Sequence, residues 1–150
     1  MRITVFLPIA AALLASCNAS PQPGAGAGGA LPGNADDNRP FDGITAEETF
    51  RFTGTEPFWG GSVAGKSLTY STPENIDGIS FPVERFAGRG GVSWSGVLEG
   101  KAFRMTATPG DCSDGMSDRT YPFTVTLMIG EEQRRGCGWT QRQPYSPDQV

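Results

Sequence analysis

The sequence predicts an all-β domain, a small antiparallel barrel-like or sandwich domain of about seven or eight strands. Three observations favour this fold class. The chain of 150 residues has 21 glycines and 12 prolines, its hydrophobic fraction is only 37 %, and its apolar residues alternate with polar ones from Glu47 onward. Many tight turns between alternating segments are typical of small barrels and sandwiches, and not of helical bundles or large α/β enzymes.

The composition also excludes several function classes. The chain contains no histidine, which removes imidazole-based acid–base catalysis, Ser–His and Cys–His nucleophilic pairs, and the common histidine metal sites. The formal net charge is −4, and a surface of that sign is unsuited to following the phosphates of a nucleic acid. We therefore expect no cofactor, no metal and no nucleic-acid partner.

Residues 1–16 predict a secretory signal peptide. Arg2 is the only charge, and an apolar run follows from Ile3 to Ala15. As a helix this run would reach only about 20 Å, short of the roughly 30 Å hydrocarbon core of a bilayer, and Pro8 would disturb a spanning helix. The pattern indicates a cleaved export signal, not a transmembrane anchor.

The signal ends in Leu14-Ala15-Ser16-Cys17, which resembles a bacterial lipobox. The resemblance implies that Cys17 becomes the acylated N-terminus of a lipoprotein, held by palmitate-like chains whose buried methylenes contribute about 0.8 kcal/mol each. Asn18 follows this cysteine instead of the aspartate that commonly retains lipoproteins in the inner membrane. We therefore expect a lipid-anchored protein of the cell envelope, in the outer membrane and facing the periplasm.

Residues 17–46 are predicted to comprise the lipidated cysteine, Cys17, and a flexible linker. A glycine and alanine tract from Gly24 to Gly29 and several prolines interrupt this stretch, and Leu31, Phe41 and Ile44 are its only large apolar side chains. Such a composition buries too little surface to fold alone. A coil of this length spans about 30 Å on average, enough to hold a small domain clear of the lipid headgroups.

Residues 47–141 predict the β domain, with a C-terminal tail over 142–150. The alternating apolar residues that predict strands are Phe50 and Phe52; Leu68 and Tyr70; Phe81 and Val83; Val92, Trp94 and Leu98; Phe103, Met105 and Ala107; and Tyr121 to Ile129. The turn signals between strands are Ala64-Gly65-Lys66, Asp77-Gly78, 88–91, Glu99-Gly100-Lys101 and Gly130-Glu131. Closing such strands into a barrel would hide their edges.

Cys112 and Cys137 predict a disulfide once Cys17 is lipidated. An exported chain meets an oxidising compartment, where an even pair of cysteines is usually joined. The alternative, a metal or redox pair, has neither a close C-x-x-C spacing nor a histidine in its favour. The bond would tie the loop after the Phe103 strand to the C-terminal strand.

Two segments carry the most distinctive residues. They are Thr55-Glu56-Pro57-Phe58-Trp59-Gly60 and the loop from Asp111 to Pro122, DCSDGMSDRTYP. Together with Gly136-Cys137, they resemble a family of uncharacterised bacterial envelope lipoproteins, often described as predicted membrane proteins and similar to small META (HslJ-like) β domains. The resemblance covers residues 53–139 and implies location, fold type and the disulfide, but no established activity.

Three interpretations of the acidic loop remain open. Asp111, Asp114 and Asp118 could supply oxygen ligands to Ca²⁺, although their spacing is not that of an EF-hand. A catalytic carboxylate pair would need one acid with a raised pKa, and Arg119 would more naturally keep Asp114 or Asp118 ionised. In the third interpretation the loop is structural, with Asp114-Gly115 forming a turn and Ser113 and Asp118 bonding backbone amides.

These observations favour a non-enzymatic, monomeric binding or structural module of the envelope. Its binding loop would comprise Glu56, Trp59, Asp114, Asp118 and Arg119, with a periplasmic protein or a cell-wall component as partner. One variant is lysozyme-inhibitor-like, with the loop entering a glycosidase cleft. Aromatic residues such as Phe58 and Trp59 are more often core side chains or plugs at a barrel end than a platform for a ligand. The alternative function is an enzyme that acts on envelope glycan and uses Glu56 or Asp114 as acid or base.

Overall fold

The computed structural model describes residues 38–146, which form eight β-strands. In chain order these strands are β1 Phe50–Gly54, β2 Trp59–Ala64, β3 Ser67–Thr72, β4 Asn75–Ala87, β5 Val92–Leu98, β6 Lys101–Cys112, β7 Tyr121–Ile129 and β8 Glu132–Thr140. This confirms the predicted all-β class. None of these residues forms a helix with the length and apolar character needed to cross a bilayer. The predicted signal peptide, Cys17 and linker residues 18–37 lie outside the described residues.

The strands close into a barrel in which each one pairs with the next in sequence. All eight pairings are antiparallel, and the ring closes where β1 pairs with β8, Phe50 opposite Thr140. Of the two predicted architectures, the structure is therefore the barrel and not the sandwich. Because every strand has a neighbour on both sides, the sheet has no open edge for another chain to extend.

Alternate residues of each strand point inward and form one apolar core. The interior is packed mainly with aromatic rings: Phe50 stacks on Trp94 with ring centroids 5.1 Å apart, and Phe81 meets Phe103 edge-on at 4.9 Å. Side chains of this size fill the interior of an eight-stranded barrel. The predicted core residues Phe52, Leu68, Met105, Val125 and Leu127 are all buried there.

The turn predictions are confirmed with one exception. Glu99 and Gly100 form the β5–β6 hairpin turn, both with positive φ, as expected of a two-residue connection. The prediction of a turn at Asp77-Gly78 is wrong, because these residues lie inside β4 and the chain reverses before them, between Thr72 and Asn75. The register of β3 and β4 shifts there, and Gly78 takes a φ of 77°. A turn-like dipeptide here forms an irregularity within a strand.

The segments flanking the strands pack against one end of the barrel. Ile44 is completely buried, and Phe41 meets Phe123 edge-on at 6.5 Å. From the C-terminal side, Arg142 and Gln143 both donate hydrogen bonds to the carbonyl oxygen of Gly43, at 3.0 and 2.6 Å. The predicted domain boundaries at 46/47 and 141/142 fall inside this packed region.

The structure contains the predicted disulfide between Cys112 and Cys137. Cys137 lies in the middle of β8, between Thr53 of β1 and Thr124 of β7. Cys112 is the last residue of β6, whose pairing with β7 shifts register after Pro109. The bond therefore draws the end of β6 across β7 to β8, and the loop that follows is held at its base.

Candidate functional site

The barrel brings the two distinctive segments of the sequence together. The hydroxyl of Thr55, in the β1–β2 turn, donates a hydrogen bond of 3.1 Å to the carbonyl oxygen of Asp114 in the loop between β6 and β7. The disulfide brings the base of this loop close to β1, because Cys112 is bonded to Cys137 and Cys137 lies opposite Thr53 in the β1–β8 ladder. We call residues 113–119 the pinned loop and treat it, with the β1–β2 turn, as the candidate site.

Asp114 organises the pinned loop through its carboxylate. One oxygen accepts hydrogen bonds from the backbone amides of Met116 and Ser117, at 2.9 and 2.8 Å. The other accepts from the hydroxyls of Ser117 and Tyr121, at 2.9 and 3.1 Å. The two amides in particular lower the pKa of Asp114 from 3.8 to about 2, because hydrogen bonds to an ionised carboxylate favour its charged form.

An aromatic cluster supports the far end of the loop on the outside of the barrel. The rings of Tyr121, Trp139 and Tyr145 lie 5.3–5.5 Å apart in all three pairings. The guanidinium of Arg119 lies 4.6 Å from the centroid of the Tyr145 ring, within the range of a cation–π contact. Burial raises the pKa of Tyr121, so its hydroxyl keeps its proton and donates a hydrogen bond to the Asp114 carboxylate.

Other predicted site residues are distributed between the surface and the core. Glu56 is exposed at the tip of the β1–β2 turn with a φ of 59°, and Asp118 is exposed in the loop. Trp59 is only 3 % exposed and packs in the core, whereas its neighbour Phe58 is 52 % exposed. Phe58 is therefore the exposed aromatic side chain of this segment.

The loop is poorly arranged for either chemical interpretation of its acids. Within the described range, His, Cys, Asp and Glu side chains do not form any group of three that could hold a metal ion. A general acid near neutral pH needs a raised pKa, and that of Asp114 is lowered. What the arrangement does provide is a fixed backbone with a largely exposed side chain, Met116, at its surface.

Sequence reasoning missed a second feature beside the aromatic cluster. Trp139 and Tyr145 also form one wall of a surface groove of about 670 Å³, whose rim includes Glu47, Arg51 and Gln141. We call it the Trp139 groove. The alternation of side chains along a strand could have indicated part of this groove. Trp139 lies two residues from Cys137 in β8, so the two side chains point to the same outer face of the barrel.

The fold and site define an eight-stranded up-and-down β-barrel domain with one disulfide-pinned loop. In comparisons with protein-family models, curated proteins and solved structures, nothing matches this chain.

Replacing Asp114 with asparagine is expected to remove a pH-dependent part of the stability. A carboxyl whose pKa is lowered on folding stabilises the protein above its unfolded value near 4 and loses that contribution as the pH falls toward 2. We expect a loss of about 1 kcal/mol at pH 7, reduced by partial exposure of the side chain. Urea unfolding at pH 7 and near pH 2 measures it.

The matched control is Asp118→Asn, which neutralises an exposed carboxylate in the same loop. It should leave the free energy of unfolding at pH 7 unchanged. If Asp114→Asn has the same stability as the wild type at both pH values, the carboxylate does not hold the loop.

Proposed function

We propose that this chain is a non-enzymatic envelope lipoprotein of bacteria, anchored through Cys17, whose barrel presents the pinned loop to a periplasmic protein or cell-wall partner. The observation that carries the proposal is the use of the Asp114 carboxylate: four hydrogen bonds occupy it in shaping the loop. A loop shaped in this way offers a preformed surface, which lowers the entropic cost of binding.

The exposed side chains around the candidate site support a binding role. Met116 is 68 % exposed on the loop, and Phe58 is 52 % exposed on the β1–β2 turn. Methionine and aromatic side chains are enriched in protein interfaces. Asp118 and Glu56 add exposed acidic groups near them. An apolar contact beside carboxylates suits a partner whose own contact surface carries basic groups.

The cysteine count supports the anchor. The chain has three cysteines, and Cys112 and Cys137 are joined to each other. Cys17 is therefore the one cysteine left, and it stands at the end of the predicted export signal. A disulfide is also typical of proteins that fold in an oxidising compartment, which agrees with a domain on the periplasmic side of a membrane.

The alternative, an enzyme that uses Glu56 or Asp114 on envelope glycan, has less support. Asp114 is ionised and fully hydrogen-bonded, and Glu56 is exposed. Release of reducing sugar from cell-wall glycan that disappears in Glu56→Gln would favour this alternative over the binding role.

Metabolic labelling with palmitate tests the anchor. We expect label and membrane retention in the wild type, and loss of both in Cys17→Ala, because a domain without acyl chains has nothing to hold it in the lipid. Ser20→Ala, three residues further on, is the matched control and should behave as the wild type. Equal fractionation of wild type and Cys17→Ala, with no label in either, would contradict the proposal.

A further inference from the structure

The Trp139 groove has a rigid aromatic wall. The rings of Trp139 and Tyr145 are 5.5 Å apart and nearly perpendicular, at 79°. Two hydrogen bonds between Ser146 and Thr120, of 2.9 and 3.0 Å, fix the segment that carries Tyr145. Tryptophan and tyrosine supply large contact areas while losing little conformational freedom. The wall is therefore in place before any ligand arrives.

The rim of the groove carries polar groups of both charges. Arg51 lies directly opposite Trp139 in the β1–β8 ladder, and Glu47 and Gln141 are exposed beside them. Glu48, deeper in the groove, accepts hydrogen bonds from the Thr45 amide and from Arg142. The groove thus combines an apolar wall with a guanidinium, a carboxylate and an amide at its edge.

We propose that the Trp139 groove binds an uncharged oligosaccharide. A pyranose ring has an apolar face of C–H groups, which can pack on Trp139 or Tyr145, and a rim of hydroxyls. Those hydroxyls can accept hydrogen bonds from Arg51 and donate them to Glu47. The groove volume of about 670 Å³ lies within the roughly 300–1,000 Å³ of small-ligand sites, which pair an apolar lining with a few polar groups.

Two other ligand classes fit less well. A peptide that binds by adding a strand needs an open sheet edge, and the β1–β8 pairing beside the groove leaves none there. A polyanion would meet a chain of net charge −4, which repels it. This inference goes beyond the proposed function, because it concerns a surface other than the pinned loop and does not depend on the lipid anchor.

The three tryptophans allow a direct test by NMR. Trp59 and Trp94 are 3 % and 2 % exposed in the core, whereas Trp139 lines the groove. The indole N–H signals of the full-length chain are followed while tri-N-acetylglucosamine, cellotriose or maltotriose is added to about 10 mM, well above a millimolar dissociation constant. We expect at least one of these sugars to shift the Trp139 signal and to leave the Trp59 and Trp94 signals in place. The Trp139 signal is assigned by its loss in Trp139→Phe.

Matched variants locate the binding surface. Tyr145→Ala and Arg51→Ala should each weaken binding about tenfold, the effect of removing one good contact. Phe86→Ala, an exposed aromatic on β4 outside both the groove and the candidate site, should leave the affinity unchanged. The folded state of each variant is checked by the dispersion of its own spectrum.

Two results would overturn the inference. One is a Trp139 signal that does not move with any of the three sugars. The other is an affinity that Tyr145→Ala and Arg51→Ala leave unchanged, or that Phe86→Ala reduces equally. Either result leaves the palmitate-labelling experiment unaffected, so the two proposals fail or stand separately.

Discussion

Replacing Trp59 with alanine is expected to lower the free energy of unfolding by about 3–5 kcal/mol, the cost of deleting a large buried aromatic side chain. The ring packs against Phe52 and Tyr70, with centroids 5.8 and 6.3 Å away. It occupies a slot between two glycines: a Cβ built on Gly54 or Gly136 would lie 2.2 or 2.9 Å from it. The strands around the ring are already closely packed, so they cannot move inward to fill the cavity that alanine would leave.

Two further variants sharpen this experiment, which uses urea unfolding. Phe58→Ala, the exposed neighbour, should change the stability by less than about 0.5 kcal/mol. Trp59→Phe should cost less than Trp59→Ala, because phenylalanine keeps most of the buried ring and leaves a smaller cavity. Both changes remove the indole N–H, which is buried without a hydrogen-bond partner in the described part of the chain. Equal stabilities of Trp59→Ala and Phe58→Ala would show that Trp59 is not a core residue.

Removing the disulfide is expected to lower the free energy of unfolding by about 3.5 kcal/mol, the value that loop-closure entropy in the unfolded chain gives for a loop of this size. Cys112 and Cys137 are 25 residues apart in sequence, and without the bond the unfolded chain regains the freedom of that loop. The double variant Cys112→Ala/Cys137→Ala avoids leaving a free thiol. Its unfolding free energy is compared with that of the wild type, each measured with and without reductant.

A second measurement on the same pair of proteins reports on the pinned loop. Trypsin should cut after Arg119 faster in the double variant, because the base of the loop is no longer held to β8. Reductant should speed cleavage of the wild type and leave the double variant unchanged. Equal cleavage rates in all four samples would mean that the bond does not restrain this loop.

Most of the barrel was predictable because its strands carry local signals. Phe103, Met105 and Ala107 alternate with polar residues, and Glu99-Gly100 marks a hairpin within a few positions. The alternation does not predict β2, which contains Gly60 and Gly61 and few apolar residues. The reason is packing: a Cβ on Gly61 would lie 1.9 Å from a carbonyl oxygen of β3, so the strand needs a residue of low β propensity.

The candidate site was predictable in its parts and not in its assembly. Asp114-Gly115 has the composition of a turn, and the structure shows one that Asp114 caps. The contact between Thr55 and Asp114 joins segments far apart in sequence, and depends on β1 meeting β8. The Trp139 groove likewise combines the beginning and the end of the domain, so no local pattern marks it.

The pairing of β1 with β8 also determines when this domain can finish folding. Phe50 finds its partner, Thr140, only after almost the whole chain has been made. Contacts between such distant residues are slow to form because a long loop must close first. Until β8 is present, β1 lacks one of its two neighbours and the ring cannot close. The native fold is therefore complete only when β8 pairs with β1 and closes the ring, and not when any single hairpin along it has formed.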